Sequence, residues 1–262
     1  ATQPHSFRAV SPSIALLTKP SPTTPFFLNL SFIEPHPPLT PPQFYYDRYM
    51  ALDLPTPNIG DWAPQVPQSK GQNPNAWFVN LDPETMRRCR AGYFGLMNHL
   101  DDQLHRLFDY MTIHGLPEDT LILFTSDHGE MLGDHHMYRK TFPYEGSARV
   151  PFIVRSPSWM GLRKRIQLDA PVGLQDVMPT LLDAAGVDVP NTVTGRSVLP
   201  LLRQTETAPE WRDVIHAEHS GLYENRPGWP SPNHAHHKNI WYPQPVPAPT
   251  SQPDPHPPAP AP

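Results

Sequence analysis

Apolar side chains recur at Met86, Cys89, Tyr93, Leu96, Leu100, Leu104, Leu107 and Met111, three or four residues apart. This periodicity constrains the fold more than any other feature, because such spacing gathers the side chains into one stripe along a long helix. Its ends are marked as well. Asp82 suits the N-cap, Pro83 the first helical position, Glu84 the positive end of the helix dipole, and Gly115 the position after the last turn. A short apolar run, Leu121–Thr125, follows directly, and another, Pro25–Ile33, lies upstream. The latter is flanked by prolines and reads as a strand buried on both faces. Strand, long helix and strand in that order predict an α/β domain built on a parallel sheet with crossover helices. A further strand is expected at Val150–Val154, and a short helix at Gln175–Ala185 ended by Gly186.

Residues 39–81, rich in Pro, Asn and Gln, predict a long irregular connection. Residues 210–242 carry broken segments with Trp and His that could add a small antiparallel sheet, and ten of the last 20 residues are proline. The expected division is therefore a main domain over 1–205, a small C-terminal subdomain over 206–242, and a polyproline-like tail over 243–262. With a formal charge of −5 and no block of Lys or Arg, the chain lacks the footprint of a nucleic-acid binder. A single cysteine, Cys89, excludes an internal disulfide framework; on its stripe it reads as a small buried hydrophobe. No apolar run is long enough to cross a bilayer, and Ala1–His5 has neither an initiator Met nor the layout of a signal peptide. The compartment stays open, and no membrane partner is expected.

The chemistry concentrates after the run 121–125. In an open parallel sheet, ligands bind beyond the carboxyl ends of the strands, and this run delivers Ser126, Asp127, His128 and Gly129 to that edge. A carboxylate beside an imidazole can turn toward one cation, with Gly129 allowing the backbone to bend away.

The 37 residues from Leu121 to Pro157, LILFTSDHGEMLGDHHMYRKTFPYEGSARVPFIVRSP, closely resemble the sulfatase branch of the alkaline-phosphatase-like superfamily. The matching elements are Asp127-His128, Lys140, Tyr144-Glu145-Gly146 and Arg149-Val150-Pro151, in the family's order. Glu34-Pro35-His36-Pro37-Pro38 is similar to its Pro-His-x-Pro turn, and Gly195-Arg196-Ser197 to the exit from its main domain. The resemblance implies an alkaline-phosphatase-like, mostly parallel sheet flanked by helices, incomplete here, with the remnant of a small C-terminal antiparallel sheet. It implies hydrolysis of a sulfate ester on a sulfated small molecule or glycan, by a formylglycine nucleophile and a divalent metal, calcium first, with Mn²⁺, Mg²⁺ or Zn²⁺ as other candidates. By matching position, Asp127 and His128 would ligate the metal, Lys140 would stabilise charge on the sulfate, and His36 would serve the leaving alcohol. His219, in His216-Ala217-Glu218-His219, resembles a segment near the substrate pocket. His135 and His136 are expected to lie outside the ligand set.

Two family elements are absent from these 262 residues. No Asp-Asp or Asp-Gln pair follows an early strand, and no Cys/Ser-x-Pro-x-Arg motif supplies a nucleophile. The sequence therefore predicts a C-terminal portion with half an active site, inactive alone. A phosphonate monoester or phosphodiester hydrolase of the same superfamily fits the same residues, and a non-catalytic pseudoenzyme is the third reading.

Overall fold

The computed structural model describes residues 5–18, 25–63, 65–69, 78–140, 143–203, 210–219 and 237–241. The chain divides into two compact units: Ala1–Leu162 with His219–His237, and Arg163–Glu218 with Lys238–Pro262. The predicted tail over 243–262 lies outside the described residues.

In the first unit, helix α1 (His5–Leu17) and helix α2 (Gln43–Met50) pack against the long helix α3 (Pro83–Ile113). The ends of α3 are those its sequence marks. The Asp82 carboxylate accepts from the Thr85 N–H at 3.1 Å, Pro83 stands first, and Gly115 follows with φ +67°. Cys89, Leu96, Leu100, Leu107 and Met111 of the stripe are buried. Burial pushes the Cys89 thiol up to about 11, with the Glu130 carboxylate adding to it, so the inert reading stands.

The periodicity does not disclose the second face of α3, which carries Gly92 and Gly95. A Cβ on Gly92 would lie 2.5 Å from the Leu39 carbonyl oxygen, and one on Gly95 2.8 Å from Pro41 Cγ. These glycines let residues 39–45 lie flat on the helix. Residues 39–81 are thus not irregular throughout, since α2 forms within them and rests on α3. Its polar composition conceals it: Tyr45 reaches Asp102 at 2.6 Å and Arg48 reaches Asn98 at 3.1 Å, while α2 itself buries no residue.

Strands β1 (Gln68–Ser69) and β2 (Asn80–Leu81) form a parallel pair. Strands β3 (Ile122–Thr125) and β4 (Phe152–Arg155) pair antiparallel, with Ile122 opposite Arg155 and Thr125 opposite Phe152. The α/β class holds, with a small antiparallel sheet. The antiparallel pairing has a local reason. Parallel neighbours are usually joined by a crossover helix, and among its described residues the β3–β4 connection carries only the four-residue helix α4 (Glu145–Ala148) and a single 3-10 turn at Asp134–His136.

Residues 25–33 are not assigned to a strand. Their burial alternates: Leu28, Leu30 and Phe32 are half-buried, whereas Phe27, Asn29, Ser31 and Ile33 are exposed. Leu30 and Phe32 pack on the cluster of Val10, Leu107 and Met111. The apolar run therefore has one covered face, where the sequence predicts two.

In the second unit, α5 (Val177–Ala184) and α6 (Leu199–Leu202) surround Asp176, which is fully buried. Asp176 receives both Arg212 guanidinium nitrogens at 2.7 and 2.8 Å and the N–H groups of Gly173 and Arg196 at 2.9 and 2.8 Å. Gly195 is required because a Cβ there would sit 1.8 Å from the Gln175 carbonyl oxygen. Strands β5 (Ile215–His219) and β6 (His237–Trp241) pair as a two-stranded sheet.

Gly92→Ala tests the close approach on α3. Alanine gains about 1 kcal/mol of helix propensity over glycine, but the clash with a backbone carbonyl costs about 1–3 kcal/mol. Denaturant titration should show a net loss of stability, and a gain would contradict the packing. A second test concerns His99, buried and hydrogen-bonded to the Ser6 hydroxyl at 3.0 Å. Desolvation lowers its pKa below the ordinary 6.5, opposed in part by the Glu34 and Asp102 carboxylates. The unfolded chain then takes up the proton first, so this contribution is intact above 6.5 and lost as the pH falls toward the folded value. The melting temperature should drop below pH 6.5, and His99→Gln should flatten that limb; an unchanged acid slope would exclude the assignment.

Candidate functional site

Strand β3 ends at Thr125, and the next three residues are held by short-range bonds. The Ser126 hydroxyl donates to the His128 carbonyl at 2.7 Å, and the His128 N–H donates to Asp127 Oδ1 at 3.0 Å. Gly129 then donates its N–H to the Ser147 carbonyl at 2.8 Å. The need for glycine here differs from the expected sharp bend. A Cβ on Gly129 would stand 2.2 Å from the Gly146 carbonyl oxygen, so the residue is small because α4 crosses directly over it. This contact joins the Asp-His end of the motif to the Tyr-Glu-Gly end.

His36, Asp127, His128 and Lys140 come together in the first unit. Lys140 Nζ lies 3.4 Å from His36 Nε2, the His36 and His128 rings are 6.2 Å apart, and His128 Nε2 is 3.6 Å from Asp127 Oδ2. Their partners assign the same tautomer to both histidines. His36 Nδ1 is 2.9 Å from the Pro37 carbonyl and His128 Nδ1 is 2.8 Å from the Gly129 carbonyl, so each Nδ1 carries the donated proton. The Nε2 atoms face different charges, that of His36 toward the Lys140 ammonium and that of His128 toward the Asp127 carboxylate. His36 sits in a proline turn closed by its own N–H on the Ile33 carbonyl at 2.9 Å.

The donor set fits one side of a cation site. A carboxylate oxygen and an imidazole nitrogen 3.6 Å apart suit a shared ion at ordinary ligand distances of about 2.0–2.5 Å. The bond from His128 Nδ1 to a carbonyl is the kind of outer partner that orients a metal-binding imidazole. Among the described residues, no group of three or more His, Cys, Asp or Glu forms a complete cage.

Between His128 and Lys140 the chain folds back on itself. Met131 N donates to Arg139 O and Gly133 N to Met137 O, both at 2.8 Å, placing 134–136 at the tip. Met131, Leu132, Met137 and Tyr138 are buried, and Tyr138 joins the cluster of Val79, Leu81 and Cys89. Glu130 Oε1 receives the N–H groups of both Leu132 and Arg139, closing the base of the loop. Four non-glycine residues here have positive φ: Leu132, His135, His136 and Arg139. His135 accepts from the Gly60 N–H at 3.0 Å, and His136 makes an edge contact with Phe78. His219 ends β5, and its side chain lies outside the described residues. Glu130 has no signal in local sequence pattern, because its partners are backbone N–H groups.

A family model described as Sulfatase matches residues 8–187. The chain is 41% identical over 213 residues to an arylsulfatase of Clostridium perfringens, covering 80% of this chain and 44% of that protein. It is 36% identical to the multifunctional alkaline phosphatase superfamily protein PehA of Trinickia caryophylli, covering 74% of this chain and 40% of the relative. Among solved structures, the phosphonate monoester hydrolase SpPMH from Silicibacter pomeroyi superposes with a TM-score of 0.60 at 34% identity, covering 72% of this chain and 39% of that one. The chain thus spans less than half the length of each of these proteins. The match over most of the chain and the ordered Asp-His, Lys and Tyr-Glu-Gly elements place it in the sulfatase family of the alkaline-phosphatase-like superfamily.

Proposed function

We propose that these residues supply one side of a site that hydrolyses a sulfate ester. The observation that carries the reading is the Lys140–His36 contact at 3.4 Å, beside His128 and Asp127. It presents a cation, a lone-pair imidazole and a metal-compatible pair in one patch. Asp127 and His128 would hold a divalent cation, with calcium the first candidate and Mn²⁺, Mg²⁺ or Zn²⁺ the others. When bound, that cation neutralises charge on the sulfate oxygens. Lys140 offers its ammonium to an oxygen of the same group as negative charge develops. Breaking the S–O bond leaves an alkoxide that needs a proton. With its Nε2 at hydrogen-bond distance from the Lys140 ammonium, His36 is suited to relay one, its ring held by the Pro37 carbonyl. The formylglycine that attacks sulfur in this reading is made from a motif these 262 residues do not contain, and we accordingly propose that they do not turn over substrate alone.

The similarity to a phosphonate monoester hydrolase supports a second reading, in which the same patch receives a phosphonate monoester or phosphodiester. Lys140, His36 and the Asp-His pair suit any tetrahedral oxyanion. His219 would touch the substrate in either case. A non-catalytic pseudoenzyme is the third reading.

Calcium titration by calorimetry should give an affinity no tighter than about 10⁻⁴ M, since two protein donors fall short of the six to eight oxygens calcium prefers. Asp127→Ala should abolish it; tight binding that survives this change would remove Asp127 from the ligand set. Inorganic sulfate, methylphosphonate and phosphate should be compared on the same protein by NMR titration. Sulfate binding at least as tight as the others, weakened about tenfold or more by Lys140→Ala, is the expected result. A clear preference for methylphosphonate would favour the second reading, and indifference to Lys140→Ala would exclude its role.

A further inference from the structure

Outside the oxyanion patch, the first unit contains a cavity of about 610 Å³ between the first turn of α3, residues 51–59 and the tip of the 129–140 loop. Leu54, Ile59, Leu81, Met86, Gly133 and His136 line it. Met86 is half-buried on this wall, so its side chain is open to whatever small molecule enters the cavity.

The Met86 thioether is also a contact between α3 and that loop. The Tyr138 hydroxyl donates to Met86 Sδ at 3.3 Å. Burial holds the phenol above the ordinary tyrosine range, so it remains a donor. Gly133 lies against the same side chain, since a Cβ there would stand 2.7 Å from Met86 Cε and 2.9 Å from Sδ. Met86 packs as well on the buried cluster of Val79, Leu81, Cys89 and Tyr138. One sulfur thus sits against the loop at both Gly133 and Tyr138.

That arrangement holds only while the sulfur is a thioether, which is apolar and a weak acceptor. Its sulfoxide is polar and chiral and disrupts the packing of the apolar side chain it replaces. Toward Gly133 there is no room for an added oxygen, because even a methyl group would not fit. The oxygen therefore pushes on Tyr138 or turns the side chain into the cavity, and either movement withdraws the support of Tyr138. Tyr138 stands two residues before Lys140, and Arg139 between them holds φ +66° with its N–H on Glu130. Dihedrals of this kind persist only where the surrounding packing enforces them.

We propose that Met86 is an oxidation site through which a peroxide releases the loop that carries Lys140. Hydrogen peroxide transfers one oxygen atom to the sulfur. The O–O bond breaks, an S–O bond forms, the sulfur is oxidised by two electrons and water leaves, so no further co-reactant is needed. The cavity brings the oxidant to Met86, whereas Met131 and Met137, 3% and 2% exposed on the loop itself, are shielded. Met97 and Met178, at 42% and 49%, meet the same reagent but neither belong to the loop nor line the cavity. The modification stands on its own; only its effect on sulfate rests on the sulfate-ester reading.

The test exposes ¹⁵N-labelled protein to graded hydrogen peroxide and reads the sulfoxide at each methionine by peptide mass spectrometry. Met86 should convert well before Met131 and Met137, with the amide resonances of residues 133–140 moving in step. Methionine sulfoxide reductases, one for each epimer, should return those resonances. Affinity for inorganic sulfate should fall about tenfold, the scale of one hydrogen bond to a charged group, and recover with the same treatment. Met86→Leu, which keeps the volume but takes up no oxygen, should bind sulfate like the parent and lose both responses, whereas Met97→Leu should keep them. The proposal is overturned if Met86 oxidises only together with Met131 and Met137, or if the loop resonances stay in place once Met86 is fully oxidised. A peroxide response in Met86→Leu equal to the parent's overturns it too. If the loop resonances follow Met86 but the untreated parent binds no sulfate, the sulfate-ester reading fails and the oxidation site stands.

Discussion

The Leu39 carbonyl lies where a Gly92 side chain would stand, and much of the first unit depends on that absence. Because α3 offers two glycines in successive turns, residues 39–45 reach its backbone and α2 can settle across it. The stripe on the helix then has two kinds of partner. Leu107 and Met111 meet α1 and the segment 25–33 near one end, and Cys89 meets the cluster that includes Tyr138 near the other. Tyr138 is two residues from Lys140. The same helix thus anchors the segment leading to His36 and the loop leading to Lys140, residues 104 apart in sequence whose side chains meet at 3.4 Å.

That anchoring explains how an exposed, polar contact can be held without a rigid element of its own. Neither His36 nor Lys140 lies in a helix or strand. His36 is fixed by a proline turn and a bond to the next carbonyl. Lys140 follows a loop pinned at its base by Glu130 and at its tip by Asn58 and Gly60. Buried Met137 and Tyr138 provide the apolar area that offsets the strained dihedrals around them. A loop composed only of polar residues could not hold four such φ values.

Local pattern is what the sequence discloses well. The caps and stripe of α3, the end of β3 just before Ser126-Asp127-His128 and the glycine after α5 all depend on residues a few positions apart, and all are where the pattern puts them. The segment 121–157 also brings the functional residues into order by its likeness to a family. What local pattern cannot carry is partnership over distance. The apolar run 25–33 looks doubly buried because its composition is apolar throughout, yet only alternate residues are covered. Helix α2 is hidden because its side chains bond α3 through polar groups, and the glycine face of α3 has no apolar signal to read. Gly129 was legible as a constraint but not as this constraint, since the carbonyl that forbids a side chain comes from Gly146.

The shared tautomer of His36 and His128 carries the chemical argument further than their positions do. Each ring donates its Nδ1 proton to the carbonyl of the residue that follows it, so each turn fixes the ring's orientation with one bond. An imidazole whose Nε2 is open to a partner is what the proposed metal ligation would require at His128 and the proposed proton relay at His36. Had either Nδ1 lacked its carbonyl, the ring would be free to rotate or to hold its proton on the wrong nitrogen. The environments then differ: Nε2 of His128 faces a carboxylate, whereas Nε2 of His36 faces an ammonium, and the proposed roles of cation ligand and proton relay rest on that difference. One backbone device, used twice, thus presents two imidazoles to neighbouring charges of opposite sign.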